Sequence, residues 1–100
     1  MKRYESGKKL WSYPTINLEE TGRRISFLRE REGYTVKEVA EILGFSSAQA
    51  VYNWQKGKSL PTMDNALILA RLFHVSIEDI LVTNETPVYV SDKVRYLFVS

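Results

Sequence analysis

Apolar positions recur at helical spacing between about residue 18 and residue 81, and outside those limits they alternate instead. Ile25 and Leu28 lie at i and i+3, and Leu18 and Gly22 extend that face toward the start of a first helix. This helix is predicted to begin between Leu18 and Thr21 and to run to about Glu32, with Arg23, Arg24, Glu30, Arg31 and Glu32 on its wet side. Gly33 supplies a left-handed stop. Val36, Val39, Ala40 and Leu43 then repeat at i, i+3, i+4 and i+7, the apolar face of a second helix. Thr35 and Glu38 form a capping box ahead of it, and Gly44 ends it. Ala40 is small where two steeply crossing helices would need a small side chain.

A third helix is predicted over residues 46–56. Ser46 with Gln49 offers a second capping box, and Ser47 is the other candidate cap. Val51 and Trp54 turn inward at i and i+3. Gln49, Tyr52, Asn53 and Lys56 fall at i, i+3, i+4 and i+7, so they share one polar face. Gly57 closes the helix, and Lys58 to Pro61 form a connector. Thr62 caps a fourth helix that reaches about Phe73, with Ala66, Leu69, Ala70 and Phe73 as its core stripe. Ser76 and Asp79 start a short fifth helix containing Ile80 and Leu81. His74, between these two, is expected as a helix C-cap, because His tolerates a left-handed backbone.

The two ends have a different pattern. Residues 1–19 read as an arm in which Trp11, Tyr13 and Ile16 alternate around Pro14, as in an extended segment or edge strand. Its two large aromatics are expected to cover the domain or a second subunit. In the tail, residues 84–100, Pro87 breaks any helix. Val88 to Val90 and Val94 to Val99 then read as two short β segments around Ser91, Asp92 and Lys93. Segments this short need cover from the helical body, the arm or a second chain.

Composition narrows the chemistry. A chain of 100 residues with 44% hydrophobic and 26% charged residues suits one globular domain. It has no cysteine and one histidine, which excludes a disulfide framework and the usual zinc clusters. No nucleophile–base pair or phosphate loop is present, so an enzyme is not expected, and neither is a cofactor or a small-molecule substrate. The basic N-terminus has no apolar run behind it and no segment is long and apolar enough to span a bilayer, so a cytoplasmic protein is expected. The net charge of +2 is too small to name a partner. All of it comes from the arm, where Lys2, Arg3, Lys8 and Lys9 face only Glu5 and Glu19. Such an arm is either a solvated terminus or a segment that tracks phosphates.

The stretch from Thr35 to Lys58 therefore reads as helix, glycine turn, helix, with one polar face on the second helix. A helix-turn-helix of this layout lays its second helix in the DNA major groove. Taken alone, the Gln49, Tyr52, Asn53 and Lys56 face would be an ordinary solvated face. The surrounding residues change that weighting. Arg29, Gly33 to Ala40, Leu43, Gly44, Val51, Trp54, Gly57, Pro61, Ala70, Phe73, Val75 and Leu81 together resemble the phage-repressor/Cro-type helix-turn-helix domain, the XRE family, over residues 20–82.

The resemblance implies an all-α, five-helix lambda-repressor-like DNA-binding domain over residues 20–83, flanked by the arm and the β-like tail. It implies double-stranded DNA as partner and a homodimer on a two-fold operator. Carried over by position, Gln49, Tyr52 and Asn53 match base-facing residues. Gln and Asn can each pair with adenine N6 and N7, and Tyr can pack on a thymine methyl. Ser47, Lys56 and Lys58 match positions near phosphates, as do Thr35 and Val36 through backbone N–H groups. The sequence departs from the family in two places. Gln55 stands where many members carry a Glu that pairs with an arginine at the position of Arg29. Either another carboxylate serves that arginine or it is more exposed than usual. There is also one extra residue between Gly44 and Trp54, which lengthens either the turn or the helix start. The expected function is a sequence-specific transcriptional regulator, a repressor that occupies promoters. The competing reading is an antitoxin-like or adaptor module in which the helix-turn-helix is a scaffold.

Overall fold

The computed structural model describes residues 9–89, in the order β1 (Lys9–Ile16), α1 (Leu18–Arg31), α2 (Val36–Ile42), α3 (Gln49–Gln55), α4 (Met63–Phe73), α5 (Ile77–Ile80) and β2 (Thr83–Tyr89). The chain divides into two units. One is Ile16–Thr83, which holds the five helices; the other takes in the chain on either side of it.

In the helical unit, a single core joins all five helices. Ile25, Val39, Val51, Leu69, Phe73 and Ile80 are all but inaccessible, with Trp54 and Ala40 packed among them. Helices of seven residues, such as α2 and α3, are too short to persist alone in water. Full burial of each large apolar side chain contributes about 1.5–3 kcal/mol, and that burial is what holds them.

The expected caps are largely in place. Thr35 Oγ1 accepts from Glu38 N (3.0 Å) while Glu38 Oε1 accepts from Thr35 N (2.8 Å). Thr62 caps α4, and Ser76 with Asp79 makes a full capping box on α5. His74 ends α4 with φ 60°, the left-handed cap anticipated for it. Asn17 caps α1 by accepting from Glu20 N at 2.9 Å.

Three expectations are corrected. Leu18 does not extend the buried face of α1; it is 38% exposed, and the fully buried polar Thr21 takes that place. Thr21 Oγ1 accepts from Val82 N (2.9 Å) and donates to Val82 O (3.4 Å), so its hydroxyl is satisfied without water. Leu81 lies beyond α5 as its extended cap residue. The compact unit that holds the helices spans Ile16–Thr83, and Asn17 caps α1 within it. The chain is also mostly helical rather than all-α, since β1 and β2 pair as a two-stranded antiparallel sheet.

In the second unit, the arm thus supplies a partner strand for the tail. Val88 on β2 is buried. Trp11 and Tyr13 are 41% and 47% exposed in the single chain and meet each other edge-to-face at 5.8 Å. The second β segment expected in the tail, Val94 to Val99, lies outside the described residues.

Candidate nucleic-acid interface

α3 is placed by its C-terminal end. A Cβ on Gly22 of α1 would run into the backbone carbonyl oxygens of Trp54 and Gln55, so α1 and α3 meet at backbone distance. Gly57 follows α3 at φ 75°, and a Cβ there would meet the backbone of Glu19. Glycine is required at both positions, at the first for closeness and at the second for closeness and handedness together. Val51 and Trp54 are buried, and Phe45 packs edge-to-face on Trp54 at 5.9 Å.

Gln55 completes this anchor. Its Oε1 accepts from Arg29 Nε at 2.8 Å, and Arg29 Nη1 donates to the Tyr34 carbonyl at 2.7 Å. Glu30 lies 3.5 Å from Arg29 Nη2 and supplies the carboxylate that Gln55 cannot. The Arg29 side chain is only 14% exposed, so the neutral amide has not driven it into solvent. Of the two alternatives left open by the sequence, another carboxylate serves.

The N-terminal end of α3 differs from expectation. The helix begins at Gln49, not at residue 46, and ends at Gln55 with Lys56 as its cap residue. The Ser46–Gln49 capping box does not form; Ala48 occupies the cap position, where it has no side chain able to accept. Ser47 Oγ accepts from Gln49 N at 3.3 Å, a weak substitute. The extra residue therefore lengthens the turn, residues 43–48, and not the helix. Gly44, read from the sequence as the end of α2, has φ 79°.

With Val51 and Trp54 inward, the face of α3 carrying Gln49 and Tyr52 is exposed, and Asn53 beside them is half-buried. Gln49 Nε2 donates to Asn53 Oδ1 at 3.0 Å. Lys56 and Lys58, both exposed, follow at the end of this face. Ser47 is exposed in the turn before it. At the start of α2, the Thr35 N–H is already taken by Glu38, and the Val36 side chain is buried in the core. Lys37, Ser46 and Ser47 border a concavity between α2 and the long turn; neither Lys37 nor Ser46 was named from the sequence as a DNA contact. Among the described residues no cluster of His, Asp and Glu could hold a metal ion, and no helix is long and apolar enough to cross a membrane.

These features define a class, and comparison with known proteins agrees. The family model described as "Helix-turn-helix" matches residues 25–80, more than half of the chain. The chain belongs to this helix-turn-helix family, in its phage-repressor/Cro (XRE) branch. Over 52 residues it is 40% identical to a protein of Pyrococcus abyssi (strain GE5 / Orsay) named as an HTH-type transcriptional regulatory protein, and the match covers 52% of this chain and 16% of that one. A similarly named protein of Pyrococcus furiosus is 38% identical over the same share of each. The matched stretch is thus a small part of those longer relatives.

Among solved structures, the fold is similar to the restriction-modification controller protein C.AhdI from Aeromonas hydrophila, with TM-score 0.56, 22% identity, and coverage of 63% of this chain and 94% of that chain. It is also similar to the DNA-binding domain of BldD, with TM-score 0.55, 20% identity, and coverage of 65% and 93%. At such identities the likeness speaks for the fold alone.

Proposed function

We propose that this chain is a sequence-specific DNA-binding transcriptional regulator, a repressor that acts as a homodimer by occupying promoter DNA. The observation that carries the reading is the division of α3: Val51 and Trp54 are sealed in the core, while Gln49, Tyr52, Asn53 and Lys56 share the opposite face. Membership of the helix-turn-helix family and the names of the Pyrococcus relatives support it.

In this reading α3 enters the major groove. Gln49, Tyr52 and Asn53 meet base edges, and Ser47, Lys56 and Lys58 meet phosphates. Thr35 contributes through its hydroxyl and Val36 only through its backbone, because its side chain is committed to the core. Two copies on a two-fold operator would read half-sites about 34 Å apart, one helical turn of DNA. Repression follows from steric occupation.

The test is selection of bound duplexes from a random pool by the full chain, followed by affinity measurement across a salt series. The proposal expects a two-fold enriched motif and affinity that falls steeply with salt. A pool that stays random at every salt concentration would remove it. One observation favours a second reading, the adaptor or antitoxin-like module: Trp11 and Tyr13 stand exposed on β1, outside the helical unit. That reading expects Trp11→Ala to abolish partner capture while DNA selection stays random.

A further inference from the structure

We infer that the outer face of α4 is a self-complementary seam, on which a second copy of this chain packs its own α4 in the antiparallel sense. The inference rests on the homodimer of the proposed reading and names the surface that makes it. Ala66, Leu69, Ala70 and Phe73 turn one face of α4 into the core. The opposite face of a surface helix is ordinarily polar. Here it carries Leu67, 50% exposed, and Ile68, 41% exposed. Single apolar residues scattered on a surface need no partner. These two are neighbours, and they are framed by charge. Asp64, Leu67, Ile68 and Arg71 fall at i, i+3, i+4 and i+7. They form one row along α4, with an acid at one end, a base at the other and two aliphatic side chains between them.

That order decides which occupant fits. Asp64 stands three residues before Leu67, and Arg71 stands three residues after Ile68. In a two-fold contact, a pairing of position i with position j is made twice. An axis through the midpoint of the row therefore sets Asp64 of each copy against Arg71 of the other, and Leu67 of each against Ile68 of the other. A parallel arrangement would set acid on acid and base on base. Asp64 and Arg71 are both exposed, and among the described residues neither has an ion-pair partner in its own chain. Both charges also suit the dipole of α4, but that leaves Leu67 and Ile68 between them unexplained. The row spans only about two helical turns. It is smaller than the roughly 800 Å² per partner of a standard interface, so the free dimer is expected to be weak.

The experiment follows dimerisation of the full chain by sedimentation over a concentration series. It compares the wild type, Asp64→Arg, Arg71→Asp, and an equimolar mixture of these two variants, with unfolding curves to check that each is folded. Either variant alone sets like charges together at both ends of the seam. Each is expected to dissociate at about hundredfold higher concentration than the wild type. In the mixture one copy supplies two bases and the other two acids, so opposite charges meet again at both ends. The mixture is expected to dimerise as the wild type does. Damage to the helix dipole alone would weaken the mixture as much as its components. Ile68→Lys touches neither charge and is a second probe; it should weaken the dimer by about tenfold. Variants that all dimerise like the wild type, or a mixture no stronger than its components, would overturn the seam and leave the homodimer to another surface. A wild type that is monomeric at every concentration overturns the homodimer as well, and selection from a random pool then still reports DNA binding by itself.

Discussion

α2 and α3 are both seven residues long, yet they are held in opposite ways. α2 carries its own start signal, the reciprocal Thr35–Glu38 box. α3 has no accepting side chain at its cap position and begins on a weak bond from the Gln49 N–H to Ser47 Oγ. Its stability comes from elsewhere: the backbone contact at Gly22, the buried Val51 and Trp54, and the Arg29–Gln55 bond. The difference shows that a helix can be freed from local constraints at its outer face if its inner face and one end are fixed by the rest of the fold. That leaves the outer face of α3 available for the DNA contacts proposed for it.

Substitutions can break this comparison, and the largest effect belongs to the tertiary anchor. Gly22→Ala should destabilise the protein by about 3 kcal/mol, because the new methyl group meets main-chain carbonyls that cannot rotate away. Urea unfolding measures this; a loss below about 1 kcal/mol would mean that α1 and α3 separate easily and that the anchor is misplaced. Next is Gln55→Ala, which leaves the Arg29 Nε–H without its acceptor in a site where the side chain is only 14% exposed. The expected cost is about 1–2 kcal/mol. Thr35→Ala tests the local device and should cost about 1 kcal/mol. If it cost more than Gly22→Ala, the contrast between the two helices would be reversed.

The smallest effect concerns α5, which is locally capped like α2. The Ser76 backbone N–H and hydroxyl both donate to Asp79 Oδ2, and with the nearby Arg24 they hold its carboxyl below the ordinary 3.8. A carboxyl whose folded pKa is depressed contributes stability that is fully present above the unfolded value and is lost as pH falls through the folded one. Asp79→Asn should therefore be less stable than the wild type at neutral pH, and the gap should narrow as pH falls below 3.8. A gap independent of pH would assign the cap to hydrogen bonding without charge.

What was legible in the sequence follows the same division. The caps at Thr35, Thr62 and Ser76, the stop at His74 and the core stripes of α2 and α4 are local patterns, and they were readable before any fold was known. The start of α3 was not. Ser46 and Gln49 have the spacing of a capping box, but the longer turn takes Ser46 out of cap geometry. Thr21 was missed because its partner, Val82, is distant in sequence. The pairing of β1 with β2 was one of several covers the sequence allowed for the tail, since strand pairing is non-local. The inward and outward residues of the candidate site were readable from the helical period alone. The bond between Gln49 and Asn53 was not, because spacing gives adjacency and not which amide donates.

The central claim is that the outer face of α3 discriminates sequences without contributing to the fold. The direct measurement is the ratio of affinities for a selected duplex and a scrambled one, taken for the wild type and for the triple variant Gln49→Ala, Tyr52→Ala, Asn53→Ala, with unfolding free energy measured alongside. The expected ratio is about a thousandfold or more for the wild type and collapses toward one in the variant, while stability changes by only about 0.5 kcal/mol per site. A ratio that survives in a folded variant would contradict it.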